Sequence, residues 1–118
     1  MTKAAAINEY FNKFMTAYPS TAVPEDASYP YMTYEYATDD FDHPVSITVQ
    51  AYFHTESEAI PNAFADELAD DIGRGGVVIP FDGGAVWMTK GTPFVNSLSE
   101  QDNTFKRRIF NITLEFLD

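Results

Sequence analysis

The stretch TDDFDHP, residues 38–44, brings Asp39, Asp40, Asp42 and His43 within one short span. Carboxylates at alternating loop positions are the raw material of a cation site, because Ca²⁺ is held by oxygens from such loops. The spacing is not that of an EF-hand, whose central glycine and closing glutamate have no counterpart here. A polar turn between two strands accounts for the same residues. The second histidine, His54, falls on the polar side of a strand-like run, where a solvated imidazole needs no special role. Neither G-x-S-x-G nor H-E-x-x-H occurs. GRGG at 73–76 has the composition of a phosphate loop, but it closes a helical stretch instead of opening one. No helix N-terminus then points at an anion. The absence of cysteine removes thiol nucleophiles, disulfides and zinc–thiolate sites together. These residues do not compose a catalytic constellation, and no enzyme activity, cofactor or metal is expected.

The charge pattern is more informative. Seven Lys and Arg stand against eighteen Asp and Glu, for a formal charge of −11. Such a surface repels phosphate, which argues against nucleic acid as a partner. Three of the seven cations are nevertheless adjacent: Lys106, Arg107 and Arg108. The plain reading is edge protection at a strand margin. A sharper one sets them against acids on a neighbouring copy. Asp66, Glu67, Asp70 and Asp71 crowd the last turns of a helical stretch, where negative charge opposes the helix dipole by about 0.3–1 kcal/mol per exposed group. Taken alone, these acids read first as a solvated outer face. Together, an acidic helix end and a basic strand start suit head-to-tail contact between copies, which closes into rings. On this view Lys106, Arg107, Arg108, Asp66, Asp70 and Asp71 are candidate interface residues, with Phe94 and Val95 from a long connection.

The elements that position these groups follow from periodicity. Ala4, Ile7, Phe11, Phe14 and Tyr18 make a helical stripe, with Thr2 as N-cap and Pro19 as terminator. Residues 20–28 read as a loop. YPYMTYEYA, 29–37, reads as a strand opened by Pro30. VSITVQAYFHT, 45–55, alternates Val45, Ile47, Val49, Ala51 and Phe53 against polar neighbours and is the clearest strand. Residues 56–73 read as a second helix with Ile60, Phe64, Leu68 and Ile72 on one stripe. Its start is ambiguous, because a Thr55–Glu58 capping box would put Pro61 in the second turn. VVIPF and AVWMTKG make two more strands about the turn at 82–84, with Pro80 pointing to an edge or a bulge. Residues 91–105 have no firm period. From Ile109 the last strand directs Phe110, Ile112, Leu114 and Phe116 inward. The expectation is a single α+β domain spanning 1–118. It has a mostly antiparallel sheet of about five strands, two helices on one face and the order α-β-β-α-β-β-β. No apolar run reaches the length of a spanning helix, and the N-terminal MTKAAAINEYFNKF lacks a signal-like apolar region. A protein without membrane contact, made and retained in the cytoplasm or assembled into something there, is expected.

The layout resembles that of the tail-terminator, or tail-completion, proteins of long-tailed bacteriophages. An amphipathic helix leads through a Pro-containing loop to an aromatic strand, YPYMTYEYA. A strand then runs into a helix, VSITVQAYFHTESEAIPNAFADEL. A polar loop precedes a closing strand with basic residues before alternating apolar ones, QDNTFKRRIFNITLEFL. The likeness spans most of the chain and implies a structural virion protein. It would form a ring, commonly a hexamer, that caps the tail tube and meets the head connector. It implies self-association, contact with tail-tube and connector proteins, and no catalytic residue. Two other readings stay open. One is a small acidic adaptor or inhibitor of a basic partner. The other is a metal-binding domain built on the 38–44 turn.

Overall fold

The computed structural model describes every residue except 40, 41 and 99. Thr2 caps the first helix, its Oγ1 accepting from the Ala5 N–H at 3.1 Å. Helix α1 (Lys3–Asn12) buries Ala6, Ile7, Tyr10 and Phe11. It stops well before Pro19, and Asn12 supplies the reason. The Asn12 amide accepts from Ala17 N at 3.0 Å and donates to Ala17 O at 3.2 Å. One side chain thereby imitates a strand partner and turns the chain into β1 (Ala17–Pro19). This strand lies within the stretch assigned to the helix, and its parallel pairing with β2 (Tyr31–Tyr34) makes the sheet mixed.

β2 pairs antiparallel with β3 (Val45–His54), which pairs antiparallel with β6 (Phe105–Leu117). β6 also pairs with β5 (Gly84–Leu98), and β5 with β4 (Val77–Phe81). The six strands therefore lie in the order β1-β2-β3-β6-β5-β4, with helix α2 (Ala59–Ile72) between β3 and β4 in sequence. The fold is α+β as expected, with one strand more than anticipated, in the order α-β-β-β-α-β-β-β. Pro80 sits on β4, an edge strand, where its missing N–H breaks no ladder on the open side.

The expected long connection at 91–105 is largely strand. β5 continues to Leu98 through a bulge, in which four residues, Gly91 to Phe94, stand opposite Asn111 alone. Gly91 is required there, because a Cβ would lie 2.9 Å from the Asn111 carbonyl oxygen. The Asn111 side-chain amide donates to Pro93 O at 2.8 Å and fastens the excursion. A Gly-Thr-Pro sequence reads as a break, yet here the ladder resumes beyond it.

Helix α2 starts at Ala59 and has no side-chain cap from Glu58. The capping box does not form. Instead Thr55 and Ser57 hydroxyls accept from Ser57 N and Ala59 N in successive tight turns. Pro61 then falls in the first turn, where its missing donor is harmless. The buried stripe is Pro61, Phe64, Ala65, Leu68 and Ile72, whereas Ile60 is 55% exposed.

Both helices lie on one face. Tyr34, Val49 and Phe110 are cross-strand partners on that face. Phe11 of α1 meets Tyr34 at 5.1 Å, and Phe64 of α2 meets Phe110 edge-on at 5.5 Å. Ile47, Val49, Ala51 and Phe53 of β3 join Phe110, Ile112, Leu114 and Phe116 of β6 in one core. The opposite face carries Tyr31, Gln50, Tyr52, Arg107, Ile109 and Asn111 and has no helix over it. The long β5–β6 hairpin stretches the molecule to 44 × 30 × 20 Å. Its radius of gyration, 14.4 Å, exceeds the roughly 13.5 Å of a compact chain this long.

Phe110 is fully buried between the Phe64 and Phe94 rings. Phe110→Ala is expected to lose about 3–5 kcal/mol in urea unfolding, from lost transfer energy plus the cavity. A loss under about 1 kcal/mol would show that this row is not the centre of the core.

Candidate functional site

The three adjacent cations lie inside β6, and strand alternation sends them to two faces. Arg108 faces the helices and is 2% exposed. Its Nη2 donates to Glu58 Oε2 at 2.5 Å and to Asn62 Oδ1 at 3.1 Å, reaching the N-terminal end of α2. Lys106, on the same side, donates to Asn103 O at 2.6 Å and lies 3.7 Å from Glu58 Oε1. Arg107 faces the open side. Its Nε lies 3.1 Å from Glu100 Oε1, and Nη1 donates to Gln50 Oε1 at 3.4 Å. The Nε groups of both arginines are buried without an aligned acceptor. Hydrogen bonding to Arg108, ahead of the nearby Lys106 charge, holds the Glu58 carboxyl below its ordinary value. Lys106, Arg107 and Arg108 therefore find their acids within the chain, at Glu58 and Glu100. They pin α2 and the β5–β6 connection to the central strand.

The acidic candidates sit at the other end of α2. Asp66 and Asp70 are exposed. Asp71 accepts from the Tyr10 hydroxyl at 2.6 Å and lies 3.8 Å from Lys13 Nζ, joining α2 to α1. Burial, reinforced by that bond, raises the Tyr10 pKa far above the usual phenol range. Phe94 is packed against Phe110 at 5.4 Å, while Val95 is 36% exposed. The structure thus does not gather the eight candidate interface residues into one patch.

In the 38–44 turn, Asp40 lies outside the described residues. Asp42 has φ +69°, a left-handed conformation that aspartate tolerates in turns. Among the described residues, no three acidic, histidine or cysteine side chains converge as metal ligands would. The 73–76 turn is packed under an indole: Trp87 Nε1–H donates to Gly75 O at 2.8 Å. Gly76 has φ +82°, and a Cβ there would lie 2.6 Å from both Met88 O and Trp87 Nε1. This turn supports the fold and leaves Arg74 exposed.

The largest feature that single-strand reading missed is aromatic. Cross-strand register places Tyr31 opposite Tyr52 and His54 opposite Phe105 on the uncovered face. Tyr31 and Tyr52 stack at 4.8 Å, and His54 stacks on Phe105 at 4.4 Å. Tyr29 closes on Tyr31 at 5.3 Å and on Phe105 at 5.4 Å, and Tyr18 flanks Tyr31 at 6.2 Å. Two clefts of about 450 and 470 Å³ meet at Tyr29. The larger has Glu100, Asp102 and Lys106 on its rim, with Glu100 paired to Arg107. Asp102 accepts from Thr104 N at 2.9 Å and Thr104 Oγ1 at 2.7 Å, which lowers its pKa and keeps it ionised. Burial, then the neighbouring Tyr29 and Tyr52, raise the Tyr31 pKa, so its phenol stays neutral. The Tyr-rich composition of 29–37 was visible in sequence, but the cross-strand partners were not.

The chain matches no family model and no curated protein. Its functional reading therefore rests on this geometry and on the layout of its elements.

Glu58 is the carboxylate whose protonation should be felt in stability. Its folded pKa is below its ordinary 4.5. Its contribution is then fully present above pH 4.5 and is lost as pH falls through the lowered folded value. Urea melts of wild type and Glu58→Gln should differ at neutral pH, with the variant weaker, and the difference should shrink as pH falls below 4.5. A constant difference across that range would show that the carboxylate charge is not what holds Arg108.

Proposed function

We propose that this chain is a structural protein of a long-tailed bacteriophage, a tail terminator that assembles with its own copies into a ring. The ring, a hexamer by analogy with that family's layout, would cap the tail tube in the host cytoplasm and pass into the virion. Its partners would be the tail-tube protein on one side and the head-completion or connector protein on the other. The observation that carries the reading is the one-sided sheet. Both helices cover one face, and the other carries aromatic rings stacked across strands with no helix over them among the described residues. Farther along that face the cross-strand pair Val78 and Trp87 is 57% and 38% exposed, and Leu117 is 36% exposed. Extended aromatic and apolar surface of this kind marks contact with other protein. The edges β1 and β4 are also open to neighbours. Element order adds to this: the N-terminal helix, the aromatic strand, the strand leading into a second helix and the closing strand follow the layout of the resemblance, although the segment before the closing strand is largely β5 where that layout has a loop.

The test uses a tail-tube protein that polymerises in vitro. Adding the purified chain during growth should give shorter tubes of defined length, each with a ring of extra density at one end by electron microscopy. Tubes that reach the same lengths with and without the chain, and bare tube ends, would remove the proposal.

A further inference from the structure

Helix α2 is fastened unequally along its length. Toward its end Leu68 and Ile72 are fully buried, and Asp71 accepts from the Tyr10 hydroxyl of α1. Its start has no side-chain cap and no acid in the first turn, and Ala59, Ile60, Asn62 and Ala63 are exposed. Among the described residues, the polar ties between this start and the sheet all run to Arg108 and Lys106 of β6. The central pair is asymmetric. Arg108 is 2% exposed, whereas the Glu58 side chain is 63% exposed. The buried member keeps its charge at every ordinary pH, and the exposed member can lose its own. Once the carboxyl is neutral, the guanidinium faces only neutral acceptors, among them Asn62 Oδ1 and Arg107 O, and its Nε has none.

We infer that Glu58 and Arg108 form an acid-released latch: protonation of the carboxyl frees residues 57–63 to lift from the sheet while the rest of the domain stays folded. A buried cation without a counter-charge draws in water. Segments with few buried contacts open first, and between Ser57 and Ala63 only Pro61 is buried. The lifted turn borders the cleft of about 450 Å³ lined by Tyr29, Phe53, His54 and Ile60, so opening widens that cleft toward Phe53. Other ionisable groups stand around the pair. Lys106 lies 3.7 Å from Glu58 and shares a polar cleft with it and with Glu100, and its charge adds to that of Arg108 once Glu58 is neutral. Glu100 is engaged by Arg107, Asp102 by Thr104, and His54 is stacked on Phe105. Arg108 holds the Glu58 carboxyl below its ordinary 4.5, so the latch is closed above pH 4.5 and opens as pH falls through the lowered value. Any paired carboxylate costs global stability in acid; the geometry here adds which segment leaves first. The latch works within one chain and does not require assembly.

Amide hydrogen exchange followed by NMR, with intrinsic rates corrected at each pH, reads the latch in the intact chain. The reporters are the amides of Asn62, which donates to Glu58 O at 3.1 Å, and of Ala63 and Phe64. Between about pH 6.5 and about pH 3.5 their protection should fall at least about tenfold more than that of Ala69 to Ile72 and of Phe110 to Leu114, the difference between a charged and a neutral hydrogen bond. Glu58→Gln should show the same local loss at about pH 6.5, without acid. Arg108→Met puts an unbranched apolar side chain where the charge was and should hold the three amides at one level of protection across the range. Glu100→Gln and His54→Gln should keep the wild-type response. Protection that falls uniformly over α2 and β6, reporters unchanged in acid, or Glu58→Gln as protected as wild type would each overturn the inference. An acid response that survives in Arg108→Met, or that vanishes in Glu100→Gln or His54→Gln, would overturn it as well. Wild type and Glu58→Gln decide the matter even where Arg108→Met fails to fold.

Discussion

The structure hangs on β6 and on what its two faces are asked to do. From Phe110 to Phe116 every second side chain is fully buried under the helices. At Arg108 the same row ends in a guanidinium that is as buried as its apolar neighbours. A buried cation without a partner would cost several kcal/mol, so the site is stable only with Glu58 and Asn62 in place. The consequence is positional. An apolar residue at 108 could pack against α2 in several arrangements. A fork of N–H donors accepts few, and it fixes where α2 begins relative to the sheet. Lys106 and Arg107 extend the same logic to the 99–104 connection through Asn103 and Glu100. The clustering of positive charge in an acidic chain is thus satisfied internally, at the one strand to which both the second helix and the β5–β6 connection must be tied.

Covering one face commits the other. A sheet buried on one side needs only period-two alternation, and β3 and β6 have it. The outward positions of such a sheet are ordinarily small and polar, as Ser46, Thr48 and Thr113 are here. Tyr31, Tyr52, His54 and Phe105 are not. Their rings stack on one another across strands, which shields part of each ring and stabilises the pairing. That gain does not require Tyr29 to stand 44% exposed over the group with a cleft on either side.

What the sequence made legible was local and periodic. The inward rows of β3 and β6, the Thr2 cap and the edge position of Pro80 all follow from spacing or from a missing donor. What it hid depended on partners distant in the chain. Ala17–Pro19 is too short to show alternation, and its strand character comes from the Asn12 amide and from β2. Gly91–Thr92–Pro93 looks like a terminus because nothing in the segment itself says that Asn111 will bridge it. Glu58 stands at capping-box spacing from Thr55 but is drawn to Arg108, fifty residues away, because a buried guanidinium binds a carboxylate more strongly than an exposed backbone amide does. The aromatic cleft was invisible for the same reason: its rings come from β2, β3, β6 and the segment just before β2, and become neighbours only in the folded sheet.

The distribution of charge also separates two requirements of any protein contact. Affinity comes mainly from area removed from water, and the aromatic face supplies area. Registry needs directional groups that penalise every wrong alignment, and a chain with eighteen acids against seven bases penalises nearly all of them by repulsion. The internal use of the cations then has a second effect beyond folding. By pairing Lys106, Arg107 and Arg108 with Glu58 and Glu100, the fold withdraws three of seven positive charges from anything that approaches the surface, and the exposed charge that remains is more uniformly negative than the sequence alone suggests.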